Sequence, residues 1–222
     1  MHRPDLDLRI ASKRKMIIKH ISEEDPILYN QWLDYKMSHE KESKFIRNSG
    51  CYPLTGTGKF NTYALFAELA QKIVSNNGQS GLVIPSGIAT DNNNSNFFST
   101  LISSKTLTSL YEFENSQSLF PGIHRQTRFC LLTTSGEGIR KDFVNIASEL
   151  SSLDQLNNPN RHISIGFSDF SLFNPNTLTA PKFRTIQDYE IARRIYSFIP
   201  PLIKEYEKLE NPWNADIRVV SL

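Results

Sequence analysis

A lysine stands behind two glycines in "TGTGKF" (Thr55 to Phe60), residue types with which a loop can cradle phosphate. A phosphate loop needs Gly-x-x-x-x-Gly-Lys-Ser/Thr directly after a strand. This spacing is incomplete and no strand precedes it, so the phosphate-loop reading fails. Glu112 and Glu114 lie two apart, which puts both carboxylates on one face of a strand. No metal-type partner flanks them, so an exposed acidic strand end is the expectation. Cys51 and Cys130 lie too far apart for a zinc spacing or a disulfide framework and suit a reducing compartment. The basic run "SKRKMIIKH" suits phosphate contact or, more simply, a solvated helix face.

Composition sets the outer bounds. A chain of 222 residues with 39% hydrophobic and 22% charged residues has the make-up of a soluble globular protein with a sizeable core. Its 25 basic and 23 acidic residues leave +2, which does not identify a nucleic-acid binder. There is no signal-peptide-like apolar run at the start and no apolar stretch of membrane-spanning length. A cytoplasmic location is therefore expected.

The elements that would position any site follow from periodicity. Two polar helices are expected over 9–21 and 26–42, the second opened by Asp25-Pro26. Turn residues place a loop over 48–59. From Asn61, the residues Phe66, Leu69, Ala70, Ile73 and Val74 recur at three-and-four spacing, predicting a helix that packs through that stripe and stops at Asn76-Asn77-Gly78. "SGLVIPSG" reads as a strand covered on both faces, as in a parallel sheet. A helix over 94–104 presents Phe97, Phe98, Leu101 and Ile102. "TLTSLYEFEN" and "RFCLLTTSG" read as two further strands joined by "SQSLFPGIHRQT". Within 141–158 the amphipathic stretch "FVNIASELSSLDQL" predicts a helix. Residues 157–181 read as loop with a short strand at "HISIGF". A helix runs from Thr185 to the Pro200-Pro201 break, and "NADIRVVSL" reads as the start of a strand.

Four stretches, in order, carry a resemblance: "NSGCYPLTGTGKFNTYALFAELA", "GLVIPSGIATD", "LYEFENSQSLFPGIHRQTRFCLL" and "LFNPNTLTAPKFRT". Together they resemble the adenine-specific (N6) DNA methyltransferases of type II restriction–modification systems over roughly Asn48 to Arg184. The implied fold is α/β, a partial Rossmann-like (class I) S-adenosylmethionine-dependent methyltransferase sheet with flanking helices. The implied division is a helical segment over 1–48, the carboxy-terminal half of the methyltransferase domain over 49–140, and an extension and linker toward a target-recognition domain over 141–222.

The resemblance also implies roles. Asn61, Thr62 and Tyr63 would face the S-adenosylmethionine cofactor, with Phe66 packed behind them and Pro85 at the Pro85-Ser86-Gly87 corner rimming the site; Asn61 as a plain helix cap and Phe66 as core are the structural alternatives. Phe120 would give an aromatic face to an adenine turned out of double-stranded DNA, or would pack in the core. His124, Arg125 and Arg128 would approach phosphates, or would simply be solvated. No catalytic residue is carried over, because family members hold the base with an Asn-Pro-Pro-aromatic tetrad and this sequence has none. "NPNT" (174–177) and "NPWN" (211–214) lack the second proline and read as turns. A glycine-rich cofactor loop is missing too.

The chain thus reads as starting just after that tetrad, inactive by itself and completed by a second chain that carries the amino-terminal methyltransferase half. The alternative is a non-catalytic DNA-binding or assembly subunit. The strand at Leu82 to Pro85 reads as interior, so without an upstream neighbour its edge is expected to be exposed and to drive self-association.

Overall fold

The computed structural model describes residues 11–201, 204–205, 209–210 and 212–213, in two compact units, Met1–Cys51 and Tyr52–Leu222. In the first unit, helices α1 (Ala11–Glu24) and α2 (Pro26–Asn48) are separated by Asp25 alone. Its carboxylate accepts from the Leu28 N–H at 3.0 Å, and Pro26 fills the first helical position, where no N–H is needed. Both helices outlast the ends that periodicity predicts.

The second unit is built on a five-stranded mixed sheet in the order β1-β3-β2-β4-β5. The strands are β1 (Gln79–Pro85), β2 (Leu107–Glu114), β3 (Arg128–Ser135), β4 (Phe143–Leu150) and β5 (Ile163–Gly166). Only β2 and β4 pair in parallel; β3 runs antiparallel to both β1 and β2, and β5 antiparallel to β4. The all-parallel, doubly covered setting expected for "SGLVIPSG" is therefore corrected. A short apolar run identifies a strand but not its neighbours, and β1 lies at an edge with Val83 58% exposed.

Alternation along the strands assigns the two faces. Leu82, Ile84, Cys130, Leu132, Leu110, Ile146, Val144, Ile163 and Ile165 point to one core, where α3 (Thr62–Ile73) supplies Ala64 and Ala67. The short α4 (Gly87–Thr90) adds Ile88 and Ala89, and α5 (Ser95–Ser103) adds the four apolar residues that spacing picks out, Phe97, Phe98, Leu101 and Ile102. Full burial of side chains this large contributes about 1.5–3 kcal/mol each. On the other face Phe113, Ala147 and Leu150 form a smaller core with Phe129 and Leu131.

Three further expectations change. The α3 stripe through Phe66 and Ile73 is not the buried one: Phe66 is 65% exposed, while Ala64, Leu65, Ala67 and Glu68 face inward. The cause is a buried anchor, since Glu68 Oε2 accepts from the Thr55 N–H and hydroxyl at 2.9 and 2.7 Å and Lys72 Nζ lies 3.0 Å from its other oxygen. A carboxylate so well supplied with donors can be inward. Phe66 therefore does not pack in the core.

The stretch "FVNIASEL", expected to be helical, is β4, because Val144 and Ile146 alternate into the core opposite β5 while Ser109 to Phe113 of β2 pair along its other side. Only α6 (Leu153–Leu156) is helical there. Residues 167–173, read as loop, form α7 (Phe167–Phe173), which buries Phe167 and Phe170. The predicted last helix is α8 (Ile186–Phe198), opened by a reciprocal Thr185–Asp188 capping box. Residues 214–222, with the expected final strand, lie outside the described residues.

The lower edge of the sheet closes tightly on the turn after α3. A Cβ on Gly136 would stand 2.1 Å from Ser75 O and 2.6 Å from Asn76 O. Both neighbours are backbone, so Gly136→Ala is expected to destabilise the protein by about 2–3 kcal/mol. Urea unfolding of the variant against the parent chain measures this, and an unchanged midpoint contradicts the packing described.

Candidate functional site

Because β3 is antiparallel to its two neighbours, β1, β2 and β4 all end at the same edge of the sheet. That edge is where open α/β sheets place ligands. Three small constructions are built on it.

The first is an aromatic stack. Phe129, near the start of β3, pairs with Pro85 of β1 on one side and Phe113 of β2 on the other. The Phe113 and Phe129 rings are parallel at 5.3 Å, and Phe120 stands edge-on to Phe129 at 4.9 Å. Phe120 remains 42% exposed. Its loop is held by Asn115, which is fully buried: Nδ2 donates to Phe120 O at 3.1 Å and to Ile123 O at 3.0 Å, while Oδ1 accepts from the Phe120 N–H at 2.9 Å. One side chain thus satisfies three backbone groups of an otherwise irregular loop.

The second lies at the corner after β1. Asn94 Nδ2 donates to Gly87 O at 2.9 Å and to the Tyr63 hydroxyl at 3.2 Å, joining the start of α3 to the Pro85-Ser86-Gly87 turn. Gly87 is tight as well, because a Cβ there would meet the Asp91 carboxylate at 2.3 Å. The Ser86 N–H donates to Arg128 O at 3.3 Å, which links this corner to the base of the aromatic stack.

The third is a buried ion pair. Glu112, expected to be an exposed strand end, is only 5% exposed, and Lys182 Nζ donates to its Oε1 at 2.5 Å. Its Oε2 is buried without a protein donor, beside a hollow of about 10 Å³ bordered by Ser86, Ser148 and Cys130. That is roughly the space of one water. Burial, reinforced by the Glu112 carboxylate, pushes the neighbouring Cys130 thiol up to about 12, so it stays protonated and inert.

The structure thus ties Tyr63 through Asn94 to the Pro85-Ser86-Gly87 corner on the face of the larger core, and sets Phe120 against Phe129, the strand partner of Pro85, on the face of the smaller one. Asn61 and Thr62 are exposed at the start of α3, and the Asn61 side chain makes no capping bond. His124 and Arg125 are exposed on the loop, His124 accepting from the Gln126 N–H at 3.2 Å. Arg128 borders a different hollow, together with Glu114, Glu149 and Arg184. Arg184 hydrogen-bonds Glu149 and holds that carboxyl below its usual value. Sequence reasoning missed Asn115, Asn94, Phe129 and Lys182. A lone Asn straight after a strand was the available signal for Asn115.

Residues 33–120 match the family model described as Eco57I restriction-modification methylase. The match runs from within α2 to Phe120 and supports a relationship to restriction–modification methylases. No curated protein matches the chain.

The Asn115 clamp is testable without any ligand. Asn115→Ala leaves three backbone groups of the loop without their partner, a loss of about 2 kcal/mol. Trypsin is expected to cut after Arg125 several-fold faster in the variant, as followed by mass spectrometry. Equal rates would mean the loop is ordered by something else.

Proposed function

We propose that this chain forms the carboxy-terminal part of a site-specific adenine-N6 DNA methyltransferase of a restriction–modification system. The observation that carries this reading is the clamped, half-open ring of Phe120 at the carboxyl edge of the sheet, at the end of the stretch that matches the methylase model. An enzyme acting on a base inside duplex DNA must extrude it and hold it. Phe120 would stack on the extruded adenine, a contact of roughly 1–3 kcal/mol. Phe129 and Phe113 behind it keep that ring from turning away.

His124 and Arg125, exposed on the same loop, would lie along the target-strand phosphates, and Arg128 would join them where its carboxylate neighbours allow. S-adenosylmethionine, when bound, supplies the methyl group. The exposed Asn61 and Thr62, with the Tyr63 hydroxyl and the Pro85 corner, fit contact with the adenosine half of such a molecule through polar groups and first-turn N–H donors. The glycine-rich loop and the Asn-Pro-Pro-aromatic tetrad are absent from these 222 residues. A polypeptide segment that carries them is therefore needed for turnover. The same absence favours, as second reading, an assembly subunit that binds DNA for a catalytic partner.

Transfer of labelled methyl groups to adenine in duplex DNA tests the proposal. The chain alone is expected to give none, and a mixture with a cofactor-binding methyltransferase half is expected to give N6-methyladenine. Phe120→Ala should cut that activity about ten- to a hundred-fold, the equivalent of the stacking contact. Methyl transfer by the isolated chain, or full activity of the Phe120→Ala mixture, contradicts it.

A further inference from the structure

The outer side of β1 is an open edge of the sheet. The Ser86 N–H and Gly78 C=O are both bonded toward β3 and its continuation, through Arg128 O and the Gly136 N–H. Backbone groups alternate sides along a strand. Ser80, Leu82 and Ile84 therefore bond to β3, whereas Gln79, Gly81 and Val83 point both N–H and C=O outward. Pro85 offers a C=O there and no N–H. Among the described residues no strand pairs with this side.

Exposed edges are normally guarded by charge, bulges or an early proline. β1 has no charged residue, pairs with β3 without a register shift, and has its only proline in the last position. Val83 and Gly81 lie open beside it, and nothing stands within 4 Å of the Cβ position of Gly81. An edge with these properties is complementary to a strand like itself.

We propose that β1 pairs antiparallel with β1 of a second copy of the chain, about a twofold axis through Gly81. Gln79 then lies opposite the partner's Val83, Gly81 opposite the partner's Gly81, and Val83 opposite the partner's Gln79. Every outward N–H of the strand finds an acceptor, and Pro85 falls outside the ladder, so its missing donor costs nothing. An axis through Leu82 would instead set Pro85 opposite Gln79 and leave an acceptor unpaired. Pairing at Gly81 joins two five-stranded sheets into one and removes the open edge from both. The inference stands apart from the methyltransferase reading. Any strand that a cofactor-binding segment adds to β1 would use the same edge, so the self-paired state and that assembly exclude each other.

Analytical ultracentrifugation at micromolar concentration decides the matter. The chain is expected to sediment at twice its 25.4 kDa mass. Gly81→Pro removes an outward N–H while sparing the bonds to β3, a position where an edge strand tolerates proline. That variant, and Val83→Lys, which adds a guarding charge, are each expected to weaken self-association by more than about tenfold with unchanged circular dichroism, in line with the loss of one or two backbone hydrogen bonds. If Gly81→Pro fails to fold, Val83→Lys alone decides. A parent chain that stays a single 25.4 kDa species overturns the proposal. So does a folded variant that still associates like the parent, since another face would then be in use.

Discussion

The placement of β3, antiparallel between β1 and β2, is the constraint on which the rest depends. Its register puts Phe129 opposite Pro85 on one side and Phe113 on the other. A one-residue slip would turn Phe129 to the opposite face and drive Cys130 and Leu132 out of the core. The apolar core under α3 and α5 therefore fixes the register, and the register fixes the aromatic stack. The corner after β1 and the loop that carries Phe120 are brought together by the same pairing, because Ser86 and Arg128 share its last hydrogen bond.

Three buried carboxylates tie the outlying segments to this frame. Glu68 holds the loop at Thr55 against α3, Glu112 holds Lys182 across the strand ends, and Asp169 of α7 accepts from Tyr189 and Arg193 of α8. Burying a charge is costly, and a paired one contributes little net stability over an apolar substitute. What such pairs contribute is position. Each fixes a segment whose own sequence would let it sit in several places, and Glu112, near the end of β2, holds Lys182 beside the carboxyl edge of the sheet. The phenol of Tyr189 is pushed up to about 12 by burial and by its bond to Asp169, as a donor held in this way should be.

Where local pattern and tertiary setting agree, the sequence is a good guide. Phe97, Phe98, Leu101 and Ile102 mark α5 and are all buried, and Thr185 with Asp188 marks the start of α8. Asp25-Pro26 likewise marks α2. The failures are places where a distant partner decides. "FVNIASEL" carries an acceptable helical stripe, and only β2 and β5 make it a strand. Glu112 looks like a surface acid until Lys182, 70 residues later, is laid beside it. Phe66 looks like core until Glu68 is seen to take the inward place. At the candidate site the resemblance pointed to Phe120 and Tyr63, whereas Asn115 and Phe129 came into view only with the fold, because each holds another residue in place.

The proposed function requires the carboxyl edge of β1 and β2 to be the surface that meets DNA. Hydrogen–deuterium exchange with and without duplex DNA tests this directly. Slower exchange is predicted over 118–129 and around the 85–94 corner when DNA is added. Protection confined to α8 or to the 11–48 helices, with those segments unchanged, would contradict it.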